Sequence, residues 1–264
     1  HKNKLDNLNK LFNKMNPDTK NNPEGTQKDV SIFKDPVYLN ALYSEKRRPK
    51  TTYPGKLALH LKNKYYKETG ALLDIGCGRG DMLKAFYSEG FKVAGTDLSP
   101  SSKEACKPHP FKASNLEKDP LLFEDNSFDC VFSKSVIEHL HNPMPLLKQA
   151  NRVLKPGGQG IIMTPSWMHT RWGPFYLDHT HVTPFTLPSL RDAMEMAGFK
   201  DIKVIHFYQL PFLWIYPIFI PAIRALASVP FPYRPMYETN LPQKINTFIR
   251  FSKEVMLLAY GRKN

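Results

Sequence analysis

The stretch YLDHTHVTPFT, residues 176–186, sets Asp178, His179 and His181 within four positions, and SVIEHL, residues 135–140, sets Glu138 beside His139. Imidazoles and carboxylates so grouped take up protons near neutral pH or ligate divalent cations. GCGRGD, residues 76–81, offers a different chemistry. Its glycines at 76, 78 and 80 let backbone approach a ligand closely, and a helix beginning there presents unpaired N–H groups.

The surrounding pattern supplies the elements that would position these groups. ALLDI before the glycines is a strand-like apolar run, and DMLKAFYSEGF after them has a helical period. FKVAGTDLS, residues 91–99, reads as a second buried strand ending in Asp97, about 21 residues beyond Gly76, where a carboxylate can accept both hydroxyls of a ribose. EDNSFDCVFSKSVIEHL gives a turn, a strand over 128–133 and a helix that begins near Glu138 and His139. RVLKPGGQGIIMTP ends a helix at a proline-glycine turn and opens another strand over 160–164. Strands alternating with helices predict a parallel, doubly wound α/β sheet.

DIGCGRG, GTDLS, DNSFDCVFS and LKPGG, in that order and at these intervals, resemble the class I S-adenosylmethionine-dependent methyltransferases over roughly residues 65–208. The resemblance implies a Rossmann-like seven-stranded sheet, mostly parallel with an antiparallel last strand, and S-adenosylmethionine as cofactor. It implies that Asp74, Gly76, Cys77 and Gly78 line the methionine end of the cofactor, Asp97 binds the ribose and Leu98 packs on the adenine. Asn115 and Leu116 fall where the family contacts the adenine edge, and Ser133 falls beside the methionyl group. Cys77 reads as a small residue filling a tight turn, and ordering of that turn is an equal alternative role for Asp74.

A narrower resemblance concerns the catalytic groups. Ubiquinone-type O-methyltransferases and the small-RNA 3′-terminal 2′-O-methyltransferases are similar in pairing an EH helix start with a downstream histidine loop. The RNA family adds an acid three residues before the glutamate to bind a divalent metal; here that position is Ser135. The expected catalytic residues are therefore Glu138, His139 and His181. The 176–186 loop ranks first as a substrate loop, second as a proton acceptor and last as a metal ligand, and no metal site is assigned.

The 264 residues carry a formal charge of +13, unevenly spread. Residues 1–70 hold 15 basic and 7 acidic side chains, residues 71–200 hold 14 of each, and residues 201–264 hold 8 and 3. A neutral core with basic flanks and no RNA-binding module weighs against a nucleic-acid partner and leaves RNA 2′-O-methylation as the alternative activity, with a non-catalytic cofactor-binding protein behind it. Three cysteines, Cys77, Cys106 and Cys130, make neither a zinc pattern nor an even disulfide framework, and HKNKLDNLNK lacks the apolar core of a signal peptide, so the expected compartment is cytoplasmic.

Four segments follow. Residues 1–64 form a basic helical extension, with Tyr43, Arg47, Arg48 and Tyr53 as groups for an anionic ligand; 65–208 form the cofactor-binding core; 209–248 form a proline-rich apolar cap insertion; and 249–264 form the last strand. Residues 165–185 read as a long aromatic loop leading into a helix over 187–198 capped by Thr186. LPFLWIYPIFIPAI, residues 210–223, is too short and too interrupted by proline to span a bilayer. Packing over an apolar substrate is preferred for it, with peripheral contact at a membrane second. The expected acceptor is a small molecule, a glycan or a lipid-linked hydroxyl compound, and the sequence sets no oligomeric state.

Overall fold

The computed structural model describes residues 49–66, 68–171, 174–229 and 242–264. The expected helices of residues 1–48, with Tyr43, Arg47 and Arg48, lie outside these, as does Trp172. Seven strands form one sheet: β1 (Ala71–Ile75), β2 (Lys92–Asp97), β3 (Phe111–Ala113), β4 (Phe128–Lys134), β5 (Leu154–Pro165), β6 (Lys200–Phe207) and β7 (Met256–Arg262), in the order β3-β2-β1-β4-β5-β7-β6. All pairings are parallel except those of β7, which runs antiparallel to β5 and β6. β6 therefore points the same way as β5, and its end lies on the same carboxyl edge.

Continuous apolar runs suit strands covered on both faces. On one face Leu147 and Ala150 of α4 (Met144–Val153) and Leu190 and Met194 of α6 (Leu187–Met196) pack on Leu73, Val131 and Ile162. On the other, Leu57 and Leu61 of α1 (Tyr53–Lys64) and Leu83 and Phe86 of α2 (Asp81–Ser88) pack on Leu72, Phe132 and Ile161. α3 (Pro100–Cys106) joins β2 to β3. Thr186 caps α6 as expected: its hydroxyl accepts from the Ser189 N–H, and Ser189 Oγ accepts from the Thr186 N–H.

Three local expectations change. Glu138 and His139 lie on a 3-10 turn, Ile137–His139, and α4 starts only at Met144, because Pro143 and Pro145 favour a new helix start over continuation. The strand expected over 160–164 is 12 residues long and absorbs the proline-glycine turn through a register shift opposite Phe128 and Cys130. The long loop after β5 contains a helical turn, α5 (Trp167–Thr170), and a 3-10 turn, Pro174–Leu177, and Ser166 bridges to Phe185 across it.

Beyond β6 come α7 (Pro211–Ile215), a 3-10 turn (Pro217–Phe219) and α8 (Ile220–Ser228); α9 (Gln243–Lys253) crosses position 248 and leads into β7. Leu210, Leu213 and Ile223 form a separate small core with Tyr208 and Val255, flanked by Phe248 and Phe251. Tyr53 is half-buried, with its hydroxyl enclosed, and its ring lies 5.9 Å from Trp214 and 5.8 Å from Phe251, tying α1 to this unit. No helix among the described residues is long and apolar enough to cross a membrane.

The turn after β1 depends on glycine at one point above all. Gly76 has φ +74°, and an added Cβ would stand 2.2 Å from Val136 Cγ2. Gly76→Ala is expected to cost about 2–4 kcal/mol through the left-handed backbone and the overlap, read as a lower midpoint in chemical denaturation. Adding Val136→Ala should recover the overlap share only; no recovery would mean the contact is not the cause.

Candidate active site

The carboxyl edge of the sheet collects the sequence-predicted residues into two neighbouring groups. The first surrounds the glycine turn. Asp74, one residue before the end of β1, is buried; it accepts from the Leu83 backbone, and its Oδ2 has no hydrogen-bond partner among the described residues. Burial, and then the Asp97 charge, push the Asp74 carboxyl up to about 8. Asp97 accepts the Gly78 N–H at 2.9 Å on Oδ2 and the Ser99 N–H at 2.8 Å on Oδ1, and the Leu98 N–H and Ser102 hydroxyl add to the stabilisation of its charge. Burial raises its pKa too, against those donors.

Gly78 has φ +50°, and a Cβ built on it would meet nothing within 4 Å, so the turn faces open space there. Cys77 is buried with its Sγ 3.3 Å from Cys106 Sγ. Ser133 lies at the end of β4, but its hydroxyl donates to the Ile75 carbonyl at 2.9 Å and so braces β4 against β1. Leu98 is half-buried, whereas Leu116 packs into the core. Asn115 Oδ1 accepts the Glu117 N–H, organising the turn at the edge of β3.

The second group is the acid and histidine set. Ser135, with φ +58°, reverses the chain after β4 and donates its N–H to the Met163 carbonyl, which tucks the 3-10 turn under the sheet edge. Glu138 is fully buried there: Oε2 accepts the Thr164 hydroxyl at 2.9 Å, and Oε1 has no partner among the described residues. The Glu138 carbonyl accepts the N–H groups of Val182 and Thr183 at 2.8 and 3.0 Å, and the Thr183 hydroxyl donates to the Leu140 carbonyl. The 176–186 loop is thereby fastened to chain 43 residues away, and His181 comes to lie with its ring centroid 4.7 Å from that of His139.

The hydrogen bonds select the imidazole tautomers. His181 Nδ1 donates to the Phe175 carbonyl at 2.6 Å, so Nε2 carries the lone pair of the neutral ring. Thr180 gives its hydroxyl proton to Asp178 at 2.6 Å and therefore accepts from His139 Nδ1 at 2.8 Å, which leaves the His139 lone pair on Nε2 as well. Burial resists ionisation of Asp178, but the hydrogen bonds from Thr180, helped by the neighbouring imidazoles, outweigh it and hold the carboxyl below its usual range. One ligand atom from each of Glu138, His139 and His181 falls within 4.8 Å of the others, a spacing and donor set compatible with a borderline divalent cation. His179 is exposed and lies outside this group of three.

Trp167, Phe175 and Tyr176 pack edge to face beside His181, with Tyr176 and Leu177 exposed at the rim. A second imidazole pair, His169 and His206, has ring centroids 4.6 Å apart on the same sheet edge. Burial, followed by His206 and Arg224, pushes His169 down to about 4, so the pair is neutral at physiological pH.

A family model described as a methyltransferase domain matches residues 45–204, more than half of the chain. The chain belongs to this family. Among curated relatives of the methyltransferase domain, an uncharacterized protein of Methanocaldococcus jannaschii is 31% identical over 144 residues, 51% of this chain and 66% of its own. A ubiquinone biosynthesis O-methyltransferase of Coxiella burnetii is 28% identical over 162 residues, 53% of this chain and 68% of its own. The chain spans 40 and 30% of two further relatives, those of Schizosaccharomyces pombe and Streptomyces fradiae.

Among solved structures, a SAM-dependent methyltransferase of Archaeoglobus fulgidus superposes with a TM-score of 0.56 at 20% identity, over 84% of this chain and 99% of its own. A phosphoethanolamine N-methyltransferase of Haemonchus contortus, in complex with S-adenosylhomocysteine, superposes with a TM-score of 0.59 at 19% identity over 89 and 61%. These two establish the shared Rossmann-like fold. S-adenosylmethionine is the cofactor of the methyltransferase domain, and the orphaned Asp74 oxygen, the Asp97 carboxylate at the end of β2 and the open face of Gly78 fit it.

Sequence reasoning missed Thr164 and Thr180, which hold Glu138 and His139. The available signal was position: Thr164 ends a strand at the ligand-binding edge, and Thr180 separates two histidines. Burial pushes the Glu138 carboxyl up to about 7, from 4.5, despite the Thr164 hydrogen bond. Between those values the folded protein holds a proton that the unfolded chain releases, so stability falls as pH rises through this window. With chelator present, wild type should lose up to about 3 kcal/mol relative to Glu138→Gln between pH 4.5 and 7.5. A pH-independent difference in denaturation midpoint would refute the buried carboxyl.

Proposed function

We propose that the protein transfers the methyl group of S-adenosylmethionine to a hydroxyl oxygen of a small-molecule, glycan or lipid-linked acceptor. The observation that carries this reading is the convergence of Glu138, His139 and His181 within 4.8 Å beside an aromatic wall at the carboxyl edge. The name of the Coxiella relative supports oxygen as the acceptor atom.

When bound, S-adenosylmethionine supplies an electrophilic methyl group on a sulfonium. For their part, Asp74, Gly76, Cys77, Gly78 and Asp97 hold it, with Leu98 and Asn115 toward the adenine; Leu116 and Ser133 support the site from the core side. His139 Nε2 and His181 Nε2 are placed to take the acceptor proton as the oxygen attacks. His139 has the better support for positive charge, because Thr180 connects it to the ionised Asp178. Alignment supplies much of the acceleration in such a displacement. A divalent cation taken up at this site would be held by Glu138, His139 and His181 and would lower the pKa of an acceptor hydroxyl.

His181→Ala is expected to lower turnover about 10²–10⁴-fold while S-adenosylmethionine affinity in calorimetry changes less than about threefold; equal losses in both would overturn the assignment. Asp74 must give up its proton to meet the cofactor's ammonium group. Affinity for S-adenosylmethionine should therefore rise toward about tenfold per unit between pH 6 and 7.5, and Asp74→Asn should flatten that slope. A slope that survives the substitution would assign Asp74 to ordering the turn alone.

A further inference from the structure

The segment after β6 is divided between two environments. Leu213 and Ile223 turn inward and fill the small core with Leu210 and Val255, and Trp214 packs on His60 and Phe207. The residues between them turn outward: Ile215 is 71% exposed, Tyr216 56%, Ile218 81% and Phe219 51%. Pro211, Pro217 and Pro221 each stand in the first turn of a helical piece, so the backbone is set in three short steps and the outer side chains cannot be rotated into a core already filled. A consecutive apolar rim of this kind marks an interaction surface.

Charge identifies what the surface meets. From residue 202 to residue 237 the chain has no acidic side chain, and Arg224 of α8 is exposed. On α9, which shares the small core, Lys244 and Ile245 are exposed next to each other. A symmetric contact between two copies would bring this patch against itself, where the segment offers no acid to meet Arg224 or Lys244. Negatively charged headgroups above an apolar layer match both features: aromatic and aliphatic side chains enter the boundary while the basic groups meet phosphate. The pieces are too short to cross a bilayer, which suits shallow insertion.

We propose that α7, the following 3-10 turn and α8 dock this protein onto the surface of an anionic lipid bilayer. The surface follows directly on β6, whose carboxyl end belongs to the edge that carries Glu138, His139 and His181, so docking holds the catalytic edge next to the bilayer. The proposal rests on the lipid-linked acceptor only for its purpose; the surface itself is read from exposure and charge.

The test is co-sedimentation of the full chain with phosphatidylcholine vesicles and with vesicles containing phosphatidylglycerol. Binding to the anionic vesicles is expected, weakened by salt, and the Ile218→Asp/Phe219→Asp double variant should partition about tenfold or more less. Arg224→Ala should reduce binding to anionic vesicles and leave the weak binding to neutral ones unchanged. S-adenosylmethionine binding and the unfolding midpoint of the variants should match wild type, which separates lost docking from lost folding. Wild type remaining in the supernatant, or a double variant that sediments like wild type, would overturn the proposal. So would a dimer in light scattering that the double variant dissociates without any vesicle binding, which would give the face to a second copy. Methylation of a water-soluble hydroxyl acceptor without vesicles tests the transfer reaction independently of either result.

Discussion

The Glu138 carbonyl, accepting two N–H groups from Val182 and Thr183, holds together a site whose parts are otherwise remote in the chain. Backbone hydrogen bonds set both strand-like register and distance, so this contact determines where His181 stands relative to His139. The side-chain bonds then follow from it. Once the loop is seated, Thr180 reaches His139, Asp178 reaches Thr180, and the Phe175 carbonyl meets His181. None of these side-chain bonds would form at useful strength in an unseated loop, because each would bear the entropy of ordering the loop alone.

The same edge concentrates electrostatic cost. Asp74, Asp97 and Glu138 are carboxyl groups whose burial raises their pKa, and oxygens of Asp74 and Glu138 lack partners among the described residues. Ser135 and Gly76 add backbone in the left-handed region at the ends of β4 and β1. Groups that stability alone would not retain, gathered where parallel strands end, indicate a surface shaped for a ligand. The two layers of apolar helices on either face of the sheet supply the stability that this arrangement draws down.

Much of the fold was legible in the chain. The strand-turn-helix of residues 71–88, the strand ending at Asp97, and the Thr186 cap all carry local signals, because turn glycines, strand periods and capping side chains act within a few residues. The place of Glu138 and His139 was read one step wrong: helical propensity around SVIEHL is real, but Pro143 and Pro145 move the helix start to Met144. The roles of Thr164 and Ser133 were not legible, since a hydroxyl at a strand end looks the same whether it faces a ligand, a carboxylate or a neighbouring carbonyl.

The sequence by itself determined the sheet's alternating plan, the glycine turn, the acid at the end of β2 and the presence of an acid-histidine pair with a later histidine loop. These are properties of residue type and short spacing. Only the tertiary structure decided that Glu138, His139 and His181 share one small volume, which tautomer each imidazole adopts, and which side chains of the proline-rich segment face outward. Those depend on contacts between residues tens of positions apart, where direction and burial are set by packing of the whole chain and leave no mark in local pattern.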